Sequence, residues 1–138
     1  MKVNIVFPVL DEERRLEKGI RTTEAFLAKR RDIDAVITIV DNGSTDRTPD
    51  IIKELADVYS NIEYITLGER GFGLAFREAA KRNRCDIIGY VDVDLSTDIH
   101  YLSKVMKAFE KYDDISVIKG NRLSGKSKVC RLTMREYR

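Results

Sequence analysis

Short apolar runs separated by longer amphipathic stretches are the main pattern along this chain. Five runs are rich in β-branched and aromatic residues, and they predict strands at 3–9 (VNIVFPV), 35–40 (AVITIV), 62–67 (IEYITL), 86–94 (DIIGYVDVD) and 115–121 (ISVIKGN). Between these runs, apolar residues recur at helical spacing. The alternation predicts an α/β fold, a mostly parallel sheet with helices on both faces.

Four helices are predicted between these strands. The first has an apolar face made by Leu16, Ile20, Thr23 and Leu27, and Asp11 is its predicted N-cap. The second begins at the Thr-Pro pair 48–49, and the third and fourth cover 73–84 and 99–112. A length of 138 residues predicts a single domain.

Polar residues follow four of the predicted strands at their carboxyl ends. These segments read PVLDEE (8–13), DNGSTD (41–46), DVDLSTD (92–98) and GNR (120–122). In open sheets of parallel strands, ligands bind in the crevice beyond the carboxyl ends. The sequence therefore predicts one binding site at that edge of the sheet.

Composition narrows the class of protein. The 25 basic and 23 acidic side chains give a net charge of +2, which argues against nucleic acid as a partner. Cys85 and Cys130 form no CxxC pair, which favours a reduced, cytoplasmic location over a disulfide framework. No apolar run approaches the roughly 18–20 residues that span a bilayer, and no signal peptide is evident.

The last nineteen residues, 120–138, form a basic stretch with six Lys/Arg and one acid, Glu136. Two interpretations are open. The stretch could bind anions, or it could be the beginning of a segment that continues in a longer protein.

The DVD segment carries the most specific chemistry. On an extended backbone, Asp92 and Asp94 would share one face, so their like charges would need a cation or hydrogen-bond donors nearby. Hard oxygen ligands suit Mg²⁺ or Mn²⁺, which commonly joins one or two carboxylates to substrate phosphates. The alternative is an exposed turn and a helix N-cap, the role also predicted for Asp98.

Two further segments each have two interpretations. DNGSTDRT (41–48) has strong turn chemistry, but Asp41 and Asn42 at a strand end could also bind a nucleobase or ribose. GERGFG (68–73) lacks the GxGxxG spacing of dinucleotide-binding sites. It predicts either a tight turn or backbone N–H groups close to a phosphate.

The order of these segments resembles that of the family 2 glycosyltransferases of GT-A fold, in particular the dolichyl- and polyprenyl-phosphate mannosyl- and glucosyltransferase-like branch. The matching segments are IVFPVLDEE, IVDNGSTDRT, GERGFGLAFREAA, GYVDVDLSTD and IKGNRLSG, followed by CRLTMREYR. The resemblance covers residues 3–138 and implies a Rossmann-like GT-A nucleotide-sugar-binding domain. Because family members are usually longer, it also implies that the acceptor-side part lies beyond Arg138.

The resemblance implies roles for particular residues. Those expected to bind the donor are Pro8, Leu10 and Glu12 in the nucleotide pocket, and Asp41 and Asn42 at the base. Asp94 is expected to be the direct metal ligand, Asp92 to bind metal or ribose, and Ser96 to add a polar contact. Arg122 and Arg131 match basic residues that face phosphates, and Arg122 joins Asp92 and Asp94 in the expected catalytic set.

Two departures from the family pattern bear on the base. Leu10-Asp11 replaces the usual Tyr-Asn, which removes an aromatic ring that could stack on a base. Asn42 replaces a frequent Asp, so that an acceptor becomes a mixed donor and acceptor.

The resulting hypothesis is a metal-dependent, inverting sugar transfer from a UDP- or GDP-linked donor, with Mg²⁺ or Mn²⁺ as cofactor. A polyprenyl phosphate at the cytoplasmic membrane surface is the expected acceptor. One alternative is a nucleotide-sugar-binding domain without turnover. The other is a nucleotidyltransferase, although PVLDEE lacks the Gly-rich phosphate loop and basic residue usual there.

Overall fold

A computed structural model describes residues 1–121 and 123–128 of the chain. The strands are β1 (Lys2–Val9), β2 (Asp34–Asp41), β3 (Ile62–Thr66) and β4 (Ile87–Tyr90). The helices are α1 (Leu16–Ala28), α2 (Thr48–Val58), α3 (Phe72–Arg82) and α4 (Leu102–Lys111), and a 3₁₀ turn, Ile99–Tyr101, precedes α4. The described residues fall into two units, Met1–Lys104 and the part of the chain described from Val105 onwards.

The sheet of the first unit is parallel throughout, as the strand–helix alternation predicts. Its strand order is β3-β2-β1-β4, and β1 pairs with both β2 and β4. The two central strands are almost entirely buried, which explains why they read as continuous apolar runs rather than as alternating patterns.

Helices cover both faces of this sheet. Residues Val6, Val40 and Ile65 of the strands form one core cluster with Ala75 and Ala79 of α3. Helices α1 and α2 contact each other. Crossover connections between parallel strands are right-handed. The connections through α1 and α2, which lead towards β3, therefore lie on one face of the sheet, and the connection through α3, which leads back to β4, lies on the other.

The sheet has a switch point between β1 and β4. From β1 the chain first proceeds to β2 on one side and later returns to β4 on the opposite side. Such a reversal leaves a crevice at the carboxyl ends of the two strands. The segments that follow Val9 and Tyr90 therefore border the predicted ligand crevice.

The fifth predicted strand is wrong for the residues that the structure describes. Residues 115–121 form no strand, and the Val117 side chain is 81% exposed. β-branched residues favour a strand where a neighbouring strand and a buried face are available, and an exposed Val117 has no such face. Among the described helices, none is both long and apolar enough to cross a membrane.

Candidate active site

The β1–α1 loop, residues 10–15, is tied to the β2–α2 loop, residues 42–47, by reciprocal hydrogen bonds. The Asp11 N–H donates to Ser44 Oγ at 2.9 Å, and the Thr45 N–H donates to Asp11 Oδ1 at 2.8 Å. Asp11 adopts a left-handed backbone with a φ of 52°, which aspartate tolerates better than most residues. The predicted N-cap role of Asp11 is wrong, because its carboxylate serves the neighbouring loop and α1 begins at Leu16.

Three more hydrogen bonds join the β1–α1 loop to the β2–α2 loop and to the first residue of α2. The Glu12 N–H donates to Thr48 Oγ1 at 2.9 Å, the Glu13 N–H donates to Asp46 Oδ2 at 3.2 Å, and the Arg47 N–H returns a bond to Glu13 Oε2 at 3.1 Å. Partial burial would raise the pKa of Asp46. Hydrogen bonds from Thr48 and Glu13 outweigh that effect and hold this pKa below its ordinary value.

The residues predicted to line a nucleotide pocket differ in their surroundings. Pro8 is half-buried inside β1, whereas Leu10 directly follows that strand with 37% of its surface exposed. The Glu12 carboxylate forms a two-point ion pair with Arg15, at 2.7 Å to Nε and 2.9 Å to Nη2. The structure thus brings Leu10 and Glu12 to the sheet edge, where their nucleotide contacts remain a prediction.

Asp41 is the last residue of β2, and its side chain is buried at 1% exposure. Its Oδ1 accepts two hydrogen bonds from Ser44, one from the backbone N–H at 2.9 Å and one from the hydroxyl at 2.6 Å. In the described part of the chain no hydrogen bond reaches the other oxygen, Oδ2. The ligand contact predicted for Asp41 would therefore fall to that oxygen.

Asn42 connects the ends of three strands. Its N–H donates to the Val9 carbonyl at 2.9 Å, and its Oδ1 accepts from the Gly71 N–H at 3.4 Å, in the turn after β3. Gly43 follows with a φ of 84°, a conformation that glycine adopts without strain. Both interpretations of residues 41–48 therefore stay open, and the Gly71 N–H already donates to a side chain.

The acidic turn, residues 92–95, follows β4. The Val91 N–H still donates to the Val6 carbonyl at 3.0 Å, but the Leu95 N–H then donates back to the Asp92 carbonyl at 3.0 Å. Leu95 has a φ of 53°, which is uncommon for a residue with a side chain. The predicted strand, which extends to residue 94, is therefore too long. In the structure β4 ends at Tyr90, and residues 92–95 form a turn.

The two aspartates of the acidic turn consequently do not lie on one face of a strand. Asp92 is half-buried, and Asp94 is exposed and accepts a hydrogen bond from the Ser96 N–H at 2.9 Å. Within residues 1–121 and 123–128, no group of three or more His, Cys, Asp or Glu could hold a metal ion. The metal contacts of Asp92 and Asp94 therefore remain a prediction, for which carboxylate oxygens have the ligand chemistry that Mg²⁺ or Mn²⁺ prefers.

Asp98 caps the 3₁₀ turn, as its N-cap interpretation predicts. Its Oδ1 accepts from the His100 N–H at 2.9 Å and lies 2.7 Å from His100 Nδ1. The hydrogen bond from the His100 backbone is the larger cause and the contact with the His100 side chain the second, and together they lower the pKa of Asp98 below its ordinary value. The Asp98 carboxylate is thus held locally, by the backbone and ring nitrogens of His100 two residues later in the chain.

The predicted phosphate-facing residues Arg122 and Arg131 lie outside the described residues, as does Cys130. Sequence reasoning also missed the partners that fix the loops, in particular Ser44, Thr45 and Thr48. A signal for them existed, since hydroxyl residues after a strand-ending Asp commonly hydrogen-bond nearby backbone and side-chain groups.

Two solved structures share the architecture of this chain. Mannosyltransferase PcManGT from Pyrobaculum calidifontis, in complex with GDP-Man and Mn²⁺, matches with a TM-score of 0.66 and 23% identity over 77% of this chain and 31% of that one. Staphylococcus aureus TarS 1–349, in complex with UDP-GlcNAc, matches with a TM-score of 0.65 and 19% identity over 82% and 32%. These likenesses establish the GT-A fold.

Two curated relatives are similar in sequence. A dolichyl-phosphate β-glucosyltransferase, ALG5D, of Trichomonas vaginalis is 31% identical over 97% of this chain and 44% of its own length. An undecaprenyl-phosphate 4-deoxy-4-formamido-L-arabinose transferase of Pseudomonas fluorescens is 30% identical over 87% and 36%. The chain thus spans less than half the length of either relative. The family model described as Glycosyl transferase family 2 matches residues 4–136, and the chain belongs to that family.

Proposed function

We propose that this chain is the donor-binding region of an inverting glycosyltransferase that transfers a sugar from a UDP- or GDP-linked donor. The observation that carries the proposal is the position of the acidic turn, which follows β4 at the switch point beside β1. Neighbouring strands lie about 4.8 Å apart, so the ends of β2 and β4 are separated by roughly 10 Å across β1. A nucleotide that crosses the end of β1 would place its base near Asp41 and its diphosphate near Asp92 and Asp94.

Where the base of the nucleotide would bind, the proposed acceptor is one oxygen of the Asp41 carboxylate. Because Ser44 occupies Oδ1 of Asp41, Oδ2 is the atom that would accept a hydrogen bond from an N–H group of the base. The Asn42 side chain is partly committed to the Gly71 N–H, so its amide nitrogen is the group left for a base or ribose oxygen. Leu10 would provide an apolar contact where aromatic stacking is absent.

The diphosphate side would be held by Asp94 and Asp92, with Mg²⁺ or Mn²⁺ between carboxylates and phosphates. When bound, such a cation neutralises the negative charge that develops on the leaving nucleoside diphosphate. Asp94 is exposed and oriented by the Ser96 N–H, which suits a direct ligand. Arg122, by its place in the family pattern, would add positive charge at the same phosphates.

The acceptor we favour is a polyprenyl phosphate at a membrane surface. The names of the two relatives contain dolichyl-phosphate and undecaprenyl-phosphate. A phosphate monoester has a second pKa of about 6, so near neutral pH its oxygen attacks the sugar without a protein base. The basic residues that would attract it are Arg122 and Arg131 with the exposed Lys126 and Lys128.

Calorimetric titration with UDP and GDP tests the donor site directly. Binding should be tighter with Mn²⁺ or Mg²⁺ than with EDTA, and Asp94→Asn should remove most of that difference. Asp57→Asn, an exposed aspartate on α2, is the matched control and should behave as the wild type. Equal affinity with metal and with EDTA in the wild type would refute the metal site.

Product analysis then separates transfer from its alternatives. A glycosyltransferase releases nucleoside diphosphate from the sugar donor, whereas a nucleotidyltransferase forms or consumes pyrophosphate. Binding without any released nucleoside diphosphate, in the presence of acceptor, would indicate a binding domain without turnover.

A further inference from the structure

Gly19 of α1 makes a backbone-to-backbone contact with the acidic turn. A Cβ atom built on Gly19 would lie 3.0 Å from Val93 Cγ2, 3.2 Å from the Val93 carbonyl carbon, and closer still to the Val93 carbonyl oxygen. Real Cβ atoms essentially never approach another heavy atom to less than 3.0 Å. Only glycine therefore permits α1 and the turn to lie at this separation.

A glycine inside a helix otherwise has a cost, since among helix formers only proline is poorer. Gly19 is buried within α1, and its carbonyl accepts a hydrogen bond of 3.0 Å from the Thr23 hydroxyl, which is also fully buried. Its own N–H donates to the Arg15 carbonyl at 2.9 Å, at the start of the helix. The close contact with Val93 explains why a glycine occupies this position in the helix.

Val93 lies between the two predicted cation ligands. It is 3% exposed, whereas Asp94 beside it is exposed and Asp92 is half-buried. The Val93 backbone thus forms the fixed part of the turn, and the two carboxylates project from the residues on either side of it. Any shift of the Val93 carbonyl would move both carboxylates.

The same helix is joined to the base side of the site. The β1–α1 loop that leads into α1 is hydrogen-bonded to Ser44, and Ser44 holds Asp41. Helix α1 therefore contacts the acidic turn through Gly19 and is continuous with the loop that borders Asp41. This arrangement fixes one end of the site relative to the other through a single helix.

We propose that Gly19 is a positioning residue for divalent-cation binding, acting through Val93 on Asp92 and Asp94. The inference rests on the proposed function, because it assumes that these carboxylates hold a cation together with a nucleoside diphosphate. A side chain at position 19 displaces the turn and weakens the cation-dependent part of nucleotide binding. The contacts at Asp41 and Asn42, which need no cation, are retained.

The test is Gly19→Ala, with Gly89→Ala as the matched control. Gly89 lies in β4, outside the segments proposed to bind the nucleotide, and a Cβ there meets nothing within 4 Å. For each variant, UDP and GDP affinities are measured with Mn²⁺ and with EDTA, and UMP and GMP affinities with EDTA. Mn²⁺ binding in the presence of nucleotide is followed separately by electron paramagnetic resonance.

We expect Gly19→Ala to reduce the gain in affinity from Mn²⁺ by about 10- to 100-fold, the range typical of residues that orient metal ligands. Nucleoside monophosphate affinity in EDTA should stay at the wild-type value, and Gly89→Ala should match the wild type throughout. An unchanged Mn²⁺ gain in Gly19→Ala would overturn the proposal, as would an equal loss of monophosphate binding. A wild type without any Mn²⁺ gain would instead contradict the proposed function itself.

Val93→Ala keeps the proposal testable if Gly19→Ala does not fold. This change removes the Cγ2 atom, which lies 3.0 Å from where a Cβ of residue 19 would be, and it introduces no clash with α1, so the helix is left intact. The Mn²⁺ gain should again fall while monophosphate binding persists. A Val93→Ala protein with the full wild-type gain would overturn the role of the Val93 side chain in holding the turn against α1.

Discussion

The Ser44 hydroxyl donates a 2.6 Å hydrogen bond to Asp41 Oδ1, and the Ser44 N–H donates to the same oxygen at 2.9 Å. Asp41 is 1% exposed, and a buried carboxylate is tolerated only where hydrogen bonds compensate its lost hydration. Because both bonds reach one oxygen, Ser44 fixes the orientation of the carboxylate, and the proposed ligand contact falls to its other oxygen.

Replacing Ser44 by alanine should therefore destabilise the fold. A hydrogen bond to a charged group contributes about 1.5–3 kcal/mol, and Ser44→Ala leaves Asp41 with only the backbone donor. Urea denaturation should show a loss in the free energy of unfolding of that size. Ser60→Ala, at an exposed turn position before β3, should change it by less than about 0.5 kcal/mol. If the two variants are equally stable, the Ser44 hydroxyl does not hold Asp41.

The fold could be predicted from the sequence because burial and periodicity decide it. The two central strands are buried on both faces, so their continuous apolar runs, such as VNIVFPV, were sufficient to place them. Thr48 and Pro49 marked the start of α2 correctly, since a proline fits the first turn of a helix. The strand at 115–121 failed because composition alone does not provide a neighbouring strand.

The site was less predictable because it depends on contacts between loops that are distant in sequence. Asp11 has the residue type of an N-cap, yet a left-handed backbone turns its carboxylate towards Thr45, 34 residues away. The same limit applies to Gly19, whose need for glycine comes from Val93 across the fold. Sequence order placed the candidate residues at the strand ends, and the tertiary contacts determine which of their atoms are already engaged in hydrogen bonds.

Asp41→Asn should weaken nucleotide binding whether or not metal is present. The asparagine has nearly the same size, but its amide presents only one acceptor atom, which either Ser44 or the base can use. Loss of a charge-assisted hydrogen bond of about 1.5–3 kcal/mol corresponds to roughly 10- to 100-fold in affinity for UMP or GMP.

Asp34→Asn is the matched control for that experiment, because Asp34 is the exposed first residue of the same strand. It should leave UMP and GMP affinities unchanged. Inorganic pyrophosphate, which lacks a base, should bind both variants as it binds the wild type. An Asp41→Asn protein with wild-type affinity for the monophosphates would mean that residues 41–46 are only a turn.

Asp46→Asn should lower stability in a pH-dependent way. The Asp46 carboxylate accepts from the Thr48 N–H at 2.8 Å and from the Glu13 N–H at 3.2 Å, and an amide can accept only one of these bonds. The folded-state pKa of Asp46 is lowered, so its charge stabilises the fold above the unfolded value of about 3.9. This contribution is lost as the pH falls through the folded-state pKa.

Thermal unfolding from about pH 7 down to about pH 3 checks this prediction. The melting temperature of Asp46→Asn should lie below that of the wild type at neutral pH, and the difference should shrink as the pH falls. Asp57→Asn serves as the control for removing a surface carboxylate from the same region of the chain. A difference between Asp46→Asn and the wild type that is constant over the whole range would contradict the role of the Asp46 charge.

Transfer to a polyprenyl phosphate should not depend on Asp98. An alcohol acceptor needs a general base to take its proton, whereas a phosphate acceptor is already largely ionised near pH 7, since its second pKa is about 6. Asp98 is the next carboxylate along the chain after the acidic turn, but its contacts with His100 indicate a structural role. Radiolabelled UDP- and GDP-sugars, offered with a polyprenyl phosphate or with the matching polyprenol, should label only the phosphate. The transfer rate of Asp98→Ala, corrected for its folded fraction, should equal that of Asp57→Ala. Transfer to the polyprenol would reject a phosphate nucleophile, and so would a loss of transfer in Asp98→Ala alone.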